Sequence, residues 1–372
     1  MGTPFNEDLD PISDFHILNE NNILSQREKP MSTELVPEPM PTPKTSGSEQ
    51  IHGGTTILPV AGGKGGTGKS TLTANLGVGL SLLGHRVIMV DGDWGGADLH
   101  LFFNQIAPAR SMSHFLTKEV KSLKEVVLPT PLPDLRMICG GNEMIGLANL
   151  PYGVKEKIVR HIGMLEADYV LIDLGAGTSF NTLDFFTLSD EGIIVCNPEP
   201  HSRVDAYGFL KNVVYRKLRR KFNKVEGVRS VIENFARGAG RKNGRVSELI
   251  ESIKSVDAMS GDLAHETLVN LRPKLLLNRV RNRAQIEERH RFTGLVKDFL
   301  CLELDYIGHI RSDRRVLDAC ERRRPVKIDA PMAPASKDIY SVLLEGMELG
   351  GEPVENEANQ LVMRAEDQAG CW

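Results

Sequence analysis

The sequence predicts an α/β protein of three layers: a mostly parallel central sheet flanked by helices, with a helical insertion. Three observations predict it. Short apolar runs alternate with helix-like segments, as parallel strands buried on both faces require. A glycine-rich loop, "AGGKGGTGKS" at 61–70, joins the first apolar run to the first helix. Polar residues Asp91, Asp173, Asn197 and Asn278 close successive runs, where an open parallel sheet gathers its functional groups.

The elements follow in order. "TTILPV" is a strand running into the glycine loop, and Lys69 to Leu83 reads as a helix stopped by Gly84. "RVIMVD" is the second strand, ending at Asp91, and "LRMIC" the third. A helix over Tyr152 to Leu165 precedes "YVLID", which ends at Asp173; "GIIVCN", "KLLLN" and "LDYIGHI" complete the set. From Asn197 to Lys274 only helix-like patterns occur, and a basic helical insertion is expected at about 211–272. Within Lys211 to Arg245, twelve Lys and Arg stand against two Glu, so any cationic surface is local in a chain of net charge −4. Residues 51–348 should form the folded domain. Residues 1–50 are acidic and Pro/Ser/Thr-rich and read as a disordered tail, with "ISDFHILNENNIL" either a docking peptide or incidental hydrophobes. Residues 349–372 read as a second acidic tail.

Composition narrows the class. The hydrophobic fraction of 41% and charged fraction of 25% are those of a globular protein. No apolar run approaches the roughly 18 residues of a membrane span. The start, "MGTPFNEDLD", lacks the basic and apolar regions of a secretory leader, so a cytoplasmic protein is expected. Five scattered cysteines without a CxxC pair point to reduced thiols, not to disulfides, zinc or iron–sulfur clusters.

The loop itself carries chemistry. Gly63 to Ser70 fits GxxxxGK[ST], and Gly63, Gly65, Gly66 and Gly68 let backbone N–H groups around Thr67 turn inward onto phosphate oxygens. The helix beginning at Lys69 adds its positive end. Lys69 is placed to bridge β- and γ-phosphates, Ser70 to ligate Mg²⁺, and Thr71 to contact an α-phosphate. Lys64 is an extra lysine that this pattern does not require.

The form KGGxGKS resembles the deviant Walker A motif of the MinD/ParA family of P-loop ATPases, and the resemblance runs from about Thr55 to Met347. It implies the three-layer P-loop NTPase fold, with ATP and Mg²⁺ as cofactors. It also implies a role for Lys64: reaching the phosphates of the opposite subunit in an ATP-bound homodimer, as an arginine finger acts in trans. "VDGDWGGADLHLFF" resembles switch I, which implies Asp91 near Mg²⁺ through water and Asp93 holding the attacking water. "YVLIDLGAGTSFNTLDFF" resembles Walker B and switch II, which implies Asp173 as a carboxylate acting on the metal from behind its direct ligands and Gly175 and Gly177 as the hinge. Asn278 in "LLLNRV" resembles the family's adenine-reading asparagine, an amide that donates and accepts at once. Arg311 to Asp313 resemble the loop closing over the base.

"DLGAGTSFNTLDFF", "NPEP" and "GGADLHLFF" look most like regulators of flagellar number of the FlhG/FleN type, while Asp98 stands where relatives often have asparagine. The implied function is slow, dimer-linked ATP hydrolysis. It would control the position or number of a cellular structure, flagella first, at the inner membrane face or a cell pole, with an unidentified activating partner. The alternative is a partition ATPase binding DNA non-specifically. The basic "YRKLRRKFNK" suits nucleic acid, an acidic protein or membrane patch, or a solvated face offsetting the tails.

Overall fold

The computed structural model describes residues 54–93, 96–141, 150–238 and 244–349. The expected tail at 1–50 lies outside them, as does that at 349–372 apart from Leu349.

Eight strands form one sheet: β1 (Thr56–Ala61), β2 (Val87–Gly92), β3 (Val127–Pro129), β4 (Leu135–Ile138), β5 (Tyr169–Leu174), β6 (Ile193–Cys196), β7 (Lys274–Val280) and β8 (Asp305–Arg311). Their order is β3-β4-β2-β5-β1-β6-β7-β8. All neighbours are parallel except β3 and β4. The runs read from sequence as two-sided strands are buried along nearly their whole length in β1, β2, β5 and β6. β3 was not foreseen, because three residues at an antiparallel edge carry no periodicity.

Twelve helices of the described residues cover the sheet: α1 (Lys69–Leu82), α2 (Met112–Leu116), α3 (Tyr152–Ile162), α4 (Phe180–Phe186), α5 (Pro200–Lys221), α6 (Glu226–Ala236), α7 (Val246–Val256), α8 (Ala258–Val269), α9 (Arg283–Leu300), α10 (Arg314–Glu321), α11 (Val326–Asp329) and α12 (Pro334–Ser341). Two apolar cores result, one on each face. α1, α11 and α12 pack on one side and α3 to α9 on the other, giving the three expected layers. α1 ends one residue earlier than expected, with Gly84 at φ +90° as its stop. α3 ends at Ile162 and not Leu165, because Gly163 caps it. α5 runs unbroken from Pro200 to Lys221, so no boundary falls at 211; the four helices between β6 and β7 share the sheet's core. Since β5 lies on one side of β1 and β6 on the other, the loop after β1 sits where the winding reverses.

Candidate functional site: a phosphate loop with a carboxylate cluster

β1 delivers the chain into the glycine loop, and α1 leaves it at Lys69. Gly66 and Gly68 hold φ of +81° and +93°, a region that side-chain-bearing residues avoid. Gly63 is required for a different reason: a Cβ there would lie 2.1 Å from the backbone carbonyl of Asp205 in α5. Thr67 is 4% exposed, and its hydroxyl has no partner. Such an orphan, beside glycines with open space, fits a loop that completes its hydrogen bonds on phosphate oxygens. The two lysines diverge. Lys69 is buried, whereas Lys64 is exposed along with Gly65 and Gly66.

The strand ends then meet the loop. Asp91 and Asp173 are register partners across β2 and β5, and both are at most 1% exposed. Asp91 accepts the amide N–H groups of Asp93 and Leu99, each at 3.2 Å. Burial first, then the neighbouring Asp173 charge, pushes Asp91 well above the usual carboxylate range. Asp173 accepts from the Ser70 hydroxyl and, at 3.4 Å, from Thr73 Oγ1. Burial drives it up to about 7 despite Ser70 and Lys69, with Asp98 and Asp93 adding repulsion. Asp93 reaches the switch segment, since a Cβ on Gly175 would lie 3.0 Å from its Oδ1.

Four carboxylates thus crowd Ser70 and Lys69, an imbalance that a divalent cation with phosphates would relieve. Among the described residues no three His, Cys, Asp or Glu side chains form a ready metal cage. That suits Mg²⁺, which keeps several waters and takes few protein ligands. Ser70 would be its direct ligand, and Asp91 and Asp173 would act through water.

Behind the loop lies a cavity of about 280 Å³, lined by Thr71, Asn278, Arg279, Asp313, Leu317 and Cys320 among others. Asn278 Nδ2 donates to the Thr67 carbonyl at 2.8 Å, and Oδ1 accepts from Arg279 N at 2.9 Å. One donor and one acceptor position of the amide therefore remain. A shift of pairing between β7 and β8 and a φ of +58° at Arg279 set this orientation. Arg311 and Asp313 line the cavity but are otherwise engaged: Arg311 with Asp338 at 2.7 Å, Asp313 in capping α10.

Two features escaped the sequence reading. Asp98 shares the Ser70 hydroxyl with Asp173, and only the fold brings it there. Cys320 enters the cavity beside Thr71, as an unremarkable residue of α10.

The expected cationic face requires correction. Of "YRKLRRK", Arg216 bonds Asp184 at 2.7 Å, Arg220 bonds Thr187 Oγ1 at 2.7 Å, and Arg219 pairs with Glu233 at 3.2 Å. Lys217 pairs with Asp190, which leaves Lys221 as the exposed cation of that run. The carboxylates come from α4, the turn after it, and α6, so the counting of charges along one helix missed them. The insert as a docking strip for DNA or membrane loses its principal residues. Of the further cations, Lys224, Arg229, Arg237 and Arg245 are exposed, with Arg229 and Arg237 beside Glu233, and Arg241 and Lys242 lie outside the described residues.

Comparison with known proteins agrees with this geometry. The flagellum site-determining protein YlxH of Helicobacter pylori is 33% identical over 162 residues, 43% of this chain and 54% of that protein. The antiactivator FleN of Pseudomonas aeruginosa is 28% identical over 167 residues, 42% of this chain and 55% of that one. The chain thus spans about half the length of these curated relatives. The structure of the septum site-determining protein MinD of Pyrococcus horikoshii, complexed with Mg-ADP, superposes with a TM-score of 0.53 at 20% identity, covering 78% of this chain and 95% of that one. The profile of the CobQ/CobB/MinD/ParA nucleotide-binding domain matches residues 58–326, and the chain belongs to that family of P-loop ATPases.

Proposed function

We propose that this chain is an ATP-dependent switch. It binds Mg-ATP, pairs with a second copy through it, hydrolyses it slowly, and so controls the position or number of a cellular structure. The Helicobacter relative, a flagellum site-determining protein, makes flagella the first candidate. The observation that carries the reading is the divergence of two lysines in one loop. Lys69 is buried at the loop's base, while Lys64 stands exposed on its rim. A cation on the rim adds little to a nucleotide in open water, but much once a facing subunit excludes that water.

Each residue then has a task. The loop amides and Lys69 bind the phosphates, and Ser70 with Asp91 and Asp173 hold the metal and its waters. Asp93, lying over Gly175, orients the attacking water. Asn278 and the cavity behind it take the base. Bound Mg²⁺ supplies charge neutralisation at the phosphates. The working place is the cytoplasm, at the inner membrane face or a cell pole, with an activating protein still to be identified. No helix of the described residues is long and apolar enough to cross a membrane. The partition alternative loses Arg216, Lys217 and Arg219 to internal pairs and rests on the exposed cations that remain, Lys221 and Lys224 among them.

The test is Lys64→Ala, compared with wild type by light scattering coupled to size exclusion, with Mg-ADP and a slowly hydrolysed ATP analogue. The variant should bind fluorescent ATP normally and remain monomeric where wild type pairs. A variant that pairs as well as wild type would refute the trans role of Lys64.

A further inference from the structure

The basic run of α5 is turned inward, and three of its four paired cations grip one neighbour. Arg216 Nε and Nη2 donate to the two oxygens of Asp184 in α4, at 2.7 and 2.8 Å. Arg220 reaches Thr187, the C-cap of α4, and Lys217 reaches Asp190 in the turn beyond. The guanidinium of Arg216 also lies 4.9 Å from the ring centre of Phe180, the first residue of α4. From the other side, Lys155 of α3 donates to Asp184 Oδ2 at 2.9 Å.

α4 is the helix into which the switch segment runs. Gly175 and Gly177 precede it, and the Ser179 side chain caps it. Gly175 in turn lies under the carboxylate of Asp93. α5 meets the nucleotide site at its other end, where the Asp205 backbone presses on Gly63. The eleven residue steps from Asp205 to Arg216 make a rod of roughly 16 Å between phosphate loop and switch helix. Beyond it, Arg219 pairs with Glu233 and joins α5 to α6.

The cluster is a poor solution if stability were its only purpose. The side chains of Asp184, Lys155 and Arg216 are 1%, 2% and 3% exposed. Two cations share one carboxylate, a net charge of +1, and Arg216 Nη1 has no hydrogen-bond partner. Well-packed apolar residues usually serve a core as well as or better than such a buried group. What ions add is a fixed geometry, because the fork of an arginine on a carboxylate permits few orientations.

We propose that Asp184, with Arg216 and Lys155, forms a positioning set for hydrolysis. It locks α4 to α5, holds Gly175 and Asp93 in place against the phosphate loop, and passes a change of nucleotide state along α5 to α6. This rests on the ATP-switch reading above. None of the three side chains is in the glycine loop or lines the cavity behind it, so their loss should lower kcat and leave nucleotide affinity and KM nearly unchanged. Misplacement of reacting groups by about an ångström costs about a hundredfold in rate, so a loss of about tenfold to a hundredfold is expected.

The experiment uses the full chain carrying Asp184→Asn or Arg216→Lys, with folding checked by circular dichroism. Arg216→Lys keeps the charge and removes the fork, so it serves should Asp184→Asn fail to fold. Kinetics of ATP hydrolysis, fluorescent-ATP affinity and hydrogen–deuterium exchange are measured with Mg-ADP and with Mg-ATP analogue. In wild type, exchange at 175–186 and at 203–221 should change together with nucleotide. In the variants the change at 203–221 should disappear, with kcat reduced and KM retained. A folded variant with wild-type kcat, or one whose KM rises with its kcat loss, overturns the proposal. A wild-type chain that hydrolyses ATP while 203–221 stays silent overturns this proposal alone; one that does not bind ATP overturns the switch reading with it.

Discussion

Asn278 Nδ2 lies 2.8 Å from the carbonyl oxygen of Thr67, a bond between the end of β7 and the phosphate loop, 211 residues apart in sequence. The amide read from sequence as a base-contacting group is thus a strut of the glycine loop. At Gly68, a Cβ would lie 2.4 Å from the same nitrogen, so glycine is needed for that approach.

Asn278→Ala should therefore weaken ATP and ADP alike, because the loop loses its strut whichever phosphates are bound. Loss of one buried hydrogen bond costs about 1–3 kcal/mol, or roughly 5- to 150-fold in affinity. Asn278→Asp should be worse, since a carboxylate oxygen would face the Thr67 carbonyl. Titration calorimetry with both nucleotides checks this, and an effect confined to the base, seen only when ATP is compared with other nucleoside triphosphates, would contradict the strut.

Asp93→Ala should bind ATP and pair but hydrolyse slowly. Removing a group that orients the attacking water costs about a hundredfold or more. Phosphate release under single-turnover conditions is the measurement. Wild-type turnover would transfer the role to Asp91.

Asp173 gives a pH signature. Its carboxyl is pushed up to about 7, from about 3.9 in an unfolded chain. A raised carboxylate favours the protonated folded form, so its contribution to stability is complete below about pH 4 and is lost as pH rises through about 7. Nucleotide-free Asp173→Asn should thus gain melting temperature over wild type at pH 8 and show little gain at pH 4. Thermal unfolding across that range decides it; a gain independent of pH would show that ionisation of Asp173 is not responsible.

Lys327 is fully buried, donates to the Ser336 carbonyl at 3.3 Å and packs on the ring of Tyr340, with no carboxylate of the described residues bonded to it. Burial lowers its affinity for a proton well below that of a free lysine. The unfolded chain binds that proton below about pH 10.4, so this site costs stability increasingly as pH falls. Lys327→Met should raise the melting temperature by several degrees at pH 7, and the gap should narrow towards pH 10. The backbone bond from residue 327 to Asn75 Oδ1, at 3.0 Å, does not depend on the side chain. Calorimetric melts at the two pH values would show whether the lysine is tolerated or required.

The loop, the two lysines and the strand-end aspartates were legible because each is local. A phosphate loop is a short pattern of backbone freedom, and a buried parallel strand is a short apolar run. The sheet itself followed from the repetition of such runs, and its missed member, β3, is a three-residue edge with no repeat to read. The sequence by itself therefore determined the fold class, the nucleotide loop and the identity of most residues around it. Tertiary structure alone decided which charges meet. Asp98 reaches Ser70, and in the run Arg216 to Arg220, outward by composition, Arg216, Lys217 and Arg219 pair with Asp184, Asp190 and Glu233 from other elements. A charge is felt through space over several ångströms, whereas a sequence records only neighbours along the chain. Whether a basic helix is a surface or a latch depends on what packs against it.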